Sequence, residues 1–210
     1  MEEKDIQKIK TGTTTVGLVA NGCVVLGADR KATMGYLVAS KDVRKILQVA
    51  DHIGMTVAGV VGDAQALERY IRAEIKLYQL QEERKMPIHA ASSLIANILY
   101  SRRFYPYIVQ LVVGGYDTEP RLFSFAPDGS VIEEKEFFSS GSGSPMALGV
   151  LEDTYKKNMG KEESIKLVIR AITSARKRDI ASGGSGIDIA IIDSRGLKLL
   201  SDDEIKSFSK

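Results

Sequence analysis

Short apolar runs bounded by turn residues make up the first part of the chain. The runs TTTVGLV and CVVLGAD are separated by Ala20-Asn21-Gly22, and Asn-Gly between two apolar runs is the strongest short-range signal for a β-hairpin. VRKILQVA and HIGMTVAGVV flank Asp51-His52 and predict a second hairpin. DRKATMGYLVAS, which lies between the two, predicts a loop with a short strand. Antiparallel β-structure is therefore expected here.

The hydrophobic spacing then changes to that of helices. Residues 63–85 carry an apolar stripe that is wide enough to predict a helix buried on more than one side, with Asp63 as its cap. The stripe consists of Leu67, Tyr70, Ile71, Ile75, Leu77, Tyr78 and Leu80. A second helix is predicted from Pro87, because proline favours the first turn. Its inward face consists of Ala91, Leu94, Ile95, Ile98 and Leu99.

Strands and then helices return in the second half of the chain. YIVQLVVGG, PRLFSFA and SVIEEKEFFSS predict one strand each, with a turn at Pro127-Asp128-Gly129. PMALGVLEDTYKKN, capped by Ser144, and KEESIKLVIRAITSARKRD predict two helices. IDIAIIDS and LKLLS predict a closing hairpin, followed by a charged tail.

The order of these elements defines the fold class. Strands, two helices, strands, two helices and strands do not alternate as βαβ units do, so we expect antiparallel sheets with segregated helices. The class is α+β, a four-layer αββα sandwich of two antiparallel sheets between helix pairs. No internal repeat or linker divides the chain, so one domain is expected.

Composition narrows the possible partners and compartments. The chain has 210 residues, 44% of them hydrophobic, and a net charge of +2 without tryptophan or a basic-aromatic ladder, so we expect no nucleic-acid partner. Cys23 is the single cysteine, which excludes an internal disulfide or a cysteine-based metal site, and we expect it to be a buried apolar residue. A charged N-terminus and the lack of long apolar runs predict a cytoplasmic protein without a membrane segment.

Common catalytic motifs are missing from the sequence. The two histidines, His52 and His89, fall in a predicted turn and in the first turn of a helix. There is no G-x-S-x-G, no phosphate-binding G-x-x-x-x-G-K-[ST] and no metal-binding H-E-x-x-H. A hydrolase built on this chain therefore needs another base.

The stretch KIKTGTTTVGLVANG joins a polar leader to the first strand at Gly12 and Thr13. An ordinary interpretation is available, since glycine marks turns and threonine favours strands. A cut between the two residues would give Thr13 a free α-amine with a pKa of about 7.7–8.0, which can activate its own hydroxyl. Glycine before the cut leaves the carbonyl open to attack.

Several motifs in one order decide between these interpretations. They are TGTTTVG, ADRKAT, RKI at 44–46, MTVAGVVGDAQ, YPYIVQLVVGG, GSGSP, LGVLE and RDIASGG. With them the chain resembles the β-subunit of the archaeal-type proteasome core particle, an N-terminal-nucleophile hydrolase, from Thr13 to the last hairpin. The resemblance implies a threonine endopeptidase that degrades unfolded proteins to peptides. It also implies a propeptide, residues 1–12, that is removed autocatalytically from a catalytic domain at 13–210.

The resemblance also implies the site residues. Thr13 matches the nucleophile, and Asp29 and Lys45 match the family's carboxylate and essential lysine. The remaining matches are Ser142 in G-S-G, Asp179 and Ser182 as holders of the N-terminal amine, and Gly59 as donor of the oxyanion-binding N–H. An ammonium at Lys45 would stabilise the Thr13 alkoxide, and Asp29 would keep that ammonium oriented and charged. Taken singly, Asp29 would be an ordinary surface charge, Lys45 a strand-edge lysine and Thr13 a strand threonine. Ser142 and Ser182 would be turn residues.

An apolar specificity pocket is implied as well. The matching positions are Ala32, Val43, Leu47, Val57 and Val61. Burying an apolar side chain there is favourable, so cleavage after hydrophobic residues is expected.

Partners and alternatives follow from the same resemblance. It implies heptameric β-rings stacked between rings of α-subunits, an AAA ATPase that feeds in unfolded polypeptide, and no cofactor or metal. One alternative is the bacterial ATP-dependent relative, which forms hexameric rings without α-subunits. Another is a non-catalytic or partner-dependent β-subunit that retains its leader.

Overall fold

Two five-stranded antiparallel sheets form the centre of the fold in a computed structural model that describes residues 12–208. The first sheet has the strand order β10-β1-β2-β11-β12, the second runs β5-β6-β7-β8-β9, and β3 and β4 pair separately. The strands are β1 Thr15–Ala20, β2 Cys23–Asp29, β3 Ala32–Met34, β4 Leu37–Ser40, β5 Ile46–Ala50, β6 Ile53–Gly59, β7 Val109–Tyr116, β8 Pro120–Phe125, β9 Val131–Glu134, β10 Phe137–Ser140, β11 Ile187–Asp193 and β12 Gly196–Leu199. Of the predicted leader, only Gly12 lies within the described residues.

The helices cover the outer faces of the sheets in pairs. They are α1 Val61–Glu82, α2 Ile88–Ser101, α3 Ser144–Thr154, α4 Lys161–Arg178 and a short α5 Asp202–Phe208. Apolar residues of α1 and α2 pack on the second sheet, and those of α3 and α4 pack on the first. A third cluster lies between the sheets and consists of Val24, Leu26, Ala28, Ile46, Val112, Leu122, Ala190 and Ile192. The predicted α+β four-layer sandwich is confirmed.

The predicted hairpins are present where turn residues mark them. Strands β1 and β2 pair from Thr15 opposite Ala28 to Ala20 opposite Cys23. Gly22 has φ +74° in the connecting turn, a conformation that glycine adopts without the penalty other residues incur. Cys23 is a free, buried thiol in this hairpin, as expected. The hairpin matters because it brings the residue before β1 beside the end of β2.

Several local predictions were wrong or incomplete. SVIEEKEFFSS forms two strands, β9 and β10, which belong to different sheets. DRKATMGYLVAS likewise forms two strands, and the charged tail contains α5. Helices α1 and α3 begin after Val60 and Gly143 without side-chain caps, so Asp63 and Ser144 do not cap them. Both residues lie within the first turn of their helix, and the carboxylate of Asp63 accepts the backbone N–H of Ile108 instead.

The wide stripe on α1 is only partly buried in a single chain. Leu67, Ile71 and Ile75 are buried against the second sheet. Tyr70, Leu77 and Leu80 are about half exposed or more, so the prediction of burial on more than one side is wrong for the isolated subunit.

Candidate active site

Thr13 lies just before β1, at the edge where the two sheets meet, and is only 3% exposed. Its Oγ1 donates a hydrogen bond to Asp29 Oδ1 over 2.9 Å. The same oxygen accepts a hydrogen bond from Lys45 Nζ. The hydroxyl therefore lies between a carboxylate and an amine that also contact each other, with 2.7 Å from Lys45 Nζ to Asp29 Oδ1.

Asp29, the last residue of β2, is fully buried and fully hydrogen-bonded. Besides Thr13 and Lys45, it accepts the backbone N–H groups of Thr14 at 2.9 Å, Lys31 at 3.1 Å and Gly183 at 2.8 Å. A buried carboxylate is tolerated when it has a partner charge and several donors. Asp29 therefore connects Thr13, Lys45 and three backbone N–H groups through one carboxylate.

Lys45 precedes β5 of the second sheet and is 8% exposed. Burial lowers the pKa of Lys45 below its ordinary value, because the ammonium loses hydration. The ion pair with Asp29 opposes this effect, and the more distant charges of Asp179 and Asp188 add to that opposition. The net direction is downward, so the neutral amine is more accessible here than in an exposed lysine.

A second polar cluster surrounds the backbone nitrogen of Thr13. That nitrogen donates to Ser142 Oγ at 3.2 Å. Asp179 Oδ2 accepts the hydroxyls of Ser142 at 2.6 Å and Ser182 at 2.5 Å. Ser182 also shares a hydrogen bond of 2.6 Å with the hydroxyl of Thr14. Sequence reasoning missed Thr14; the run of three threonines was its only local signal.

Gly59, the last residue of β6, has φ +140°. Two residues earlier, the N–H of Val57 donates to the carbonyl of Lys45 over 3.0 Å. Strand residues two apart direct their N–H groups to the same side, so the N–H of Gly59 also faces the Lys45 side. Since β5 starts only at Ile46, the N–H of Gly59 lies beyond the end of that strand, and Gly59 lines the same pocket as Thr13.

A pocket opens beside Thr13 and contains about 670 Å³ of empty space, open solvent included. All five predicted specificity residues line it together with Thr13, Lys45 and Gly59. They are Ala32, Val43, Leu47, Val57 and Val61. Sequence reasoning missed four polar residues that line the pocket, because only the fold shows which way they face. They are Lys31, Thr33, Arg44 and Gln65.

Gly12 is confined on the side that a side chain would occupy. A Cβ added there would overlap the methyl group of Ala181 and come within 2.9 Å of Ser142 Oγ. The N–H of Gly12 donates to Thr33 Oγ1 at 3.2 Å. The lack of space on this side of Gly12 therefore requires glycine at this position.

Two other kinds of functional feature are absent from the described part of the chain. Within residues 12–208, no cluster of three or more His, Cys, Asp and Glu side chains is placed to bind a metal ion. None of the helices in this part of the chain combines the length and apolarity needed to cross a membrane.

Comparisons with known proteins identify the family. The proteasome subunit family matches residues 9–192. A proteasome subunit beta of Picrophilus torridus is 47% identical, covering 96% of each chain. A proteasome subunit beta 2 of Ignicoccus hospitalis is 49% identical over 95% of this chain and 92% of its own. A proteasome subunit beta of Methanocaldococcus jannaschii is 46% identical over 94% of this chain and 89% of its own.

The chain therefore belongs to the proteasome subunit family. Within that family its similarity is to the β-subunits of the core particle, which confirms the resemblance inferred from the motifs. Membership in this family implies that the protein is a protease subunit.

Proposed function

We propose that this β-subunit is a threonine endopeptidase that removes its own leader by cutting the Gly12–Thr13 bond. The observation that carries the proposal is the placement of the Thr13 hydroxyl within hydrogen-bonding contact of both Asp29 and Lys45. A hydroxyl needs an adjacent base to act as a nucleophile. The backbone nitrogen of Thr13 cannot serve before the cut, because it is an amide.

The first step of leader removal is an N→O acyl shift. Lys45 is paired with Asp29 as an ammonium, and its neutral form is more accessible than in an exposed lysine because its pKa is lowered. In that neutral form, Lys45 takes the proton of Thr13 Oγ as this oxygen attacks the carbonyl carbon of Gly12. The C–N bond then breaks, and the departing nitrogen of Thr13 receives the proton from Lys45. The product is an ester between Gly12 and the Thr13 hydroxyl.

Hydrolysis of this ester completes maturation. Water adds to the ester carbonyl, the C–Oγ bond breaks, and Gly12 leaves as a carboxylate while Thr13 regains its hydroxyl. The new amine of Thr13 has a pKa of about 7.7–8.0 and can act as the base in later turnovers. Ser142, Asp179 and Ser182 hold that amine, as their contacts around the Thr13 nitrogen support.

Substrate cleavage repeats the same chemistry on a peptide carbonyl. Thr13 Oγ forms an ester with the N-terminal part of the substrate, and water releases it. The N–H of Gly59 stabilises the tetrahedral oxyanion, a contribution that typically amounts to about 10²–10³ in rate. The apolar walls formed by Val43, Leu47 and Val57 favour hydrophobic side chains before the cleaved bond.

The proposed assembly is that of the family: β-rings of seven subunits, stacked between α-subunit rings, which receive unfolded polypeptide from an AAA ATPase in the cytoplasm. Relatives at 46–49% identity carry the name proteasome subunit beta. This similarity favours the proteasomal assembly over the bacterial hexameric one.

The intact mass of the subunit after assembly with α-subunits tests the proposal. We expect loss of residues 1–12 together with peptidase activity, and we expect Thr13→Ala to abolish both. Wild-type particles that assemble but retain the leader would contradict the proposal and identify a non-catalytic or partner-dependent β-subunit.

A further inference from the structure

Asp63 makes a contact that the sequence did not predict. It lies in the first turn of α1, which has no side-chain cap. Its Oδ2 accepts the backbone N–H of Ile108 over 2.8 Å. Ile108 directly precedes β7, so this carboxylate ties the start of α1 to the start of a strand that is distant in sequence.

The other polar group of Ile108 holds the peptide next to Gly59. The carbonyl of Ile108 accepts the N–H of Val60 over 2.9 Å. The same oxygen occupies the space where a Cβ on Gly59 would lie. Val109, the next residue, pairs with Gly59 across β6 and β7. Ile108 is thus fixed by Asp63 on one side and fixes the Gly59–Val60 peptide on the other.

Gly59 needs such a constraint because of its backbone conformation. Glycine rotates about φ with little steric restriction, so the φ of +140° at Gly59 is kept constant only where neighbouring groups hold it. A donor contributes to oxyanion binding only if it is already oriented when the negative charge develops. The N–H of Gly59 lies in the peptide before this angle, and Ile108 holds the peptide after it, so Ile108 acts on the N–H through the φ of Gly59.

We infer that Asp63 is a positioning residue for the oxyanion-binding N–H of Gly59, and that it acts through the backbone of Ile108. The inference rests on the proposed function. Asp63 itself does not line the pocket beside Thr13, so it touches neither the substrate nor the reacting atoms. Asp63 supplies an acceptor oxygen at a fixed place. The side-chain amide oxygen of an asparagine at this position can supply the same.

The test compares Asp63→Ala with Asp63→Asn in particles assembled with α-subunits, with leader removal verified by intact mass. For Asp63→Ala we expect kcat for a hydrophobic peptide to fall about tenfold with KM unchanged, because only the transition state loses stabilisation. Asp63→Asn keeps the acceptor oxygen and should restore kcat to nearly the wild-type value.

Inhibitor affinity separates positioning from general damage. A peptide aldehyde adds to Thr13 and places its oxygen where the oxyanion forms, whereas the corresponding peptide alcohol does not. We expect Asp63→Ala to weaken the aldehyde by the same factor as kcat and to leave the alcohol unchanged. Equal weakening of both inhibitors, a higher KM with unchanged kcat, or failure of Asp63→Asn to restore kcat would each overturn the inference.

Two further variants complete the design. Glu68→Ala removes another carboxylate of α1, one that pairs with Arg72, and should change none of these values. If Asp63→Ala does not assemble, Asp63→Glu replaces it; the displaced acceptor should lower kcat and aldehyde affinity together, and unchanged values would overturn the inference. Failure of the proposed function is recognised separately, because wild-type particles would then retain the leader and lack peptidase activity.

Discussion

The two sheets contribute different chemical groups to one site. The first sheet and its flanking loops supply Thr13, Asp29 and the cluster around Ser142, all linked by short hydrogen bonds. The second sheet supplies Lys45 and Gly59 and most of the pocket. In the proposed mechanism the first sheet carries the nucleophile, and the second carries the base and the oxyanion donor, so neither sheet would suffice alone. The apolar cluster between the sheets fixes their relative position and thereby the distances on which this mechanism depends.

The largest expected effect comes from Lys45→Arg, which keeps the cation of the second sheet but removes the base. Arginine is not deprotonated in proteins, so it cannot take the Thr13 proton. We expect leader removal to slow by about 10²–10⁴-fold, the usual contribution of a general base. Intact mass over time measures it. Near-normal processing would mean that Lys45 acts only as a cation.

The second-largest expected effect on leader removal comes from a change beside the first sheet, Gly12→Ala. Gly12→Ala places a methyl group against Ala181, which displaces the scissile carbonyl from Thr13. A displacement of about 1 Å can reduce a rate about 10²-fold, and we expect leader removal to slow by this order.

Ala181→Gly combined with Gly12→Ala provides the matched control. Removal of the opposing methyl group should restore part of the processing rate, while Ala181→Gly alone should process normally. If the double variant is as slow as Gly12→Ala, the contact with Ala181 is not the cause.

The pH dependence of leader removal tests whether Lys45, from the second sheet, acts as the base for Thr13 beside the first. Burial lowers the pKa of Lys45 from its reference value of 10.5, so the neutral base appears at a lower pH than for an exposed lysine. Leader removal should therefore slow as the pH falls below the pKa of Lys45, by up to about tenfold per unit. It should reach its plateau below pH 10.5. A rate still rising above that pH would contradict this prediction.

The smallest expected effect is a change of cleavage specificity, produced at Val61 in the pocket that the second sheet largely supplies. Val61 lines the pocket and is about half exposed, so Val61→Asp should not disturb folding. The new carboxylate should lower cleavage after hydrophobic residues about tenfold and raise cleavage after basic ones. Comparison of kcat/KM for two peptides that differ only in this residue measures the shift. Leader removal should stay unchanged.

Much of the fold was predictable because its signals are local. Asn21-Gly22 marks the first hairpin, and the helical stripes of α1 and α4 are visible in their spacing. The division of SVIEEKEFFSS between two sheets was not predictable, since no turn residue interrupts it. Nor was the partner of Asp63, because the nearby helix start offers an equally good use for a carboxylate.

The site was predictable only through resemblance to a family. Thr13 and Ser142 are 129 positions apart, and Thr14 and Ser182 are 168 apart, so no local pattern connects them. Periodicity locates the strands along the chain. It does not show which of the many threonines and serines at strand ends will lie next to one another in the fold. The motifs supplied that information for seven positions and omitted Thr14, whose hydroxyl and N–H join both polar clusters.

The long sequence separation between Thr13 and its partners also sets the time at which the nucleophile can act. During translation, Thr13 leaves the ribosome long before Ser142 and Ser182 have been made, and contacts between distant positions form late in folding. If the leader is removed as proposed, the Gly12–Thr13 bond of a nascent chain is protected as long as its site is incomplete. Cleavage would then report that the last strands have reached their places, and a truncated or misfolded copy would stay uncut.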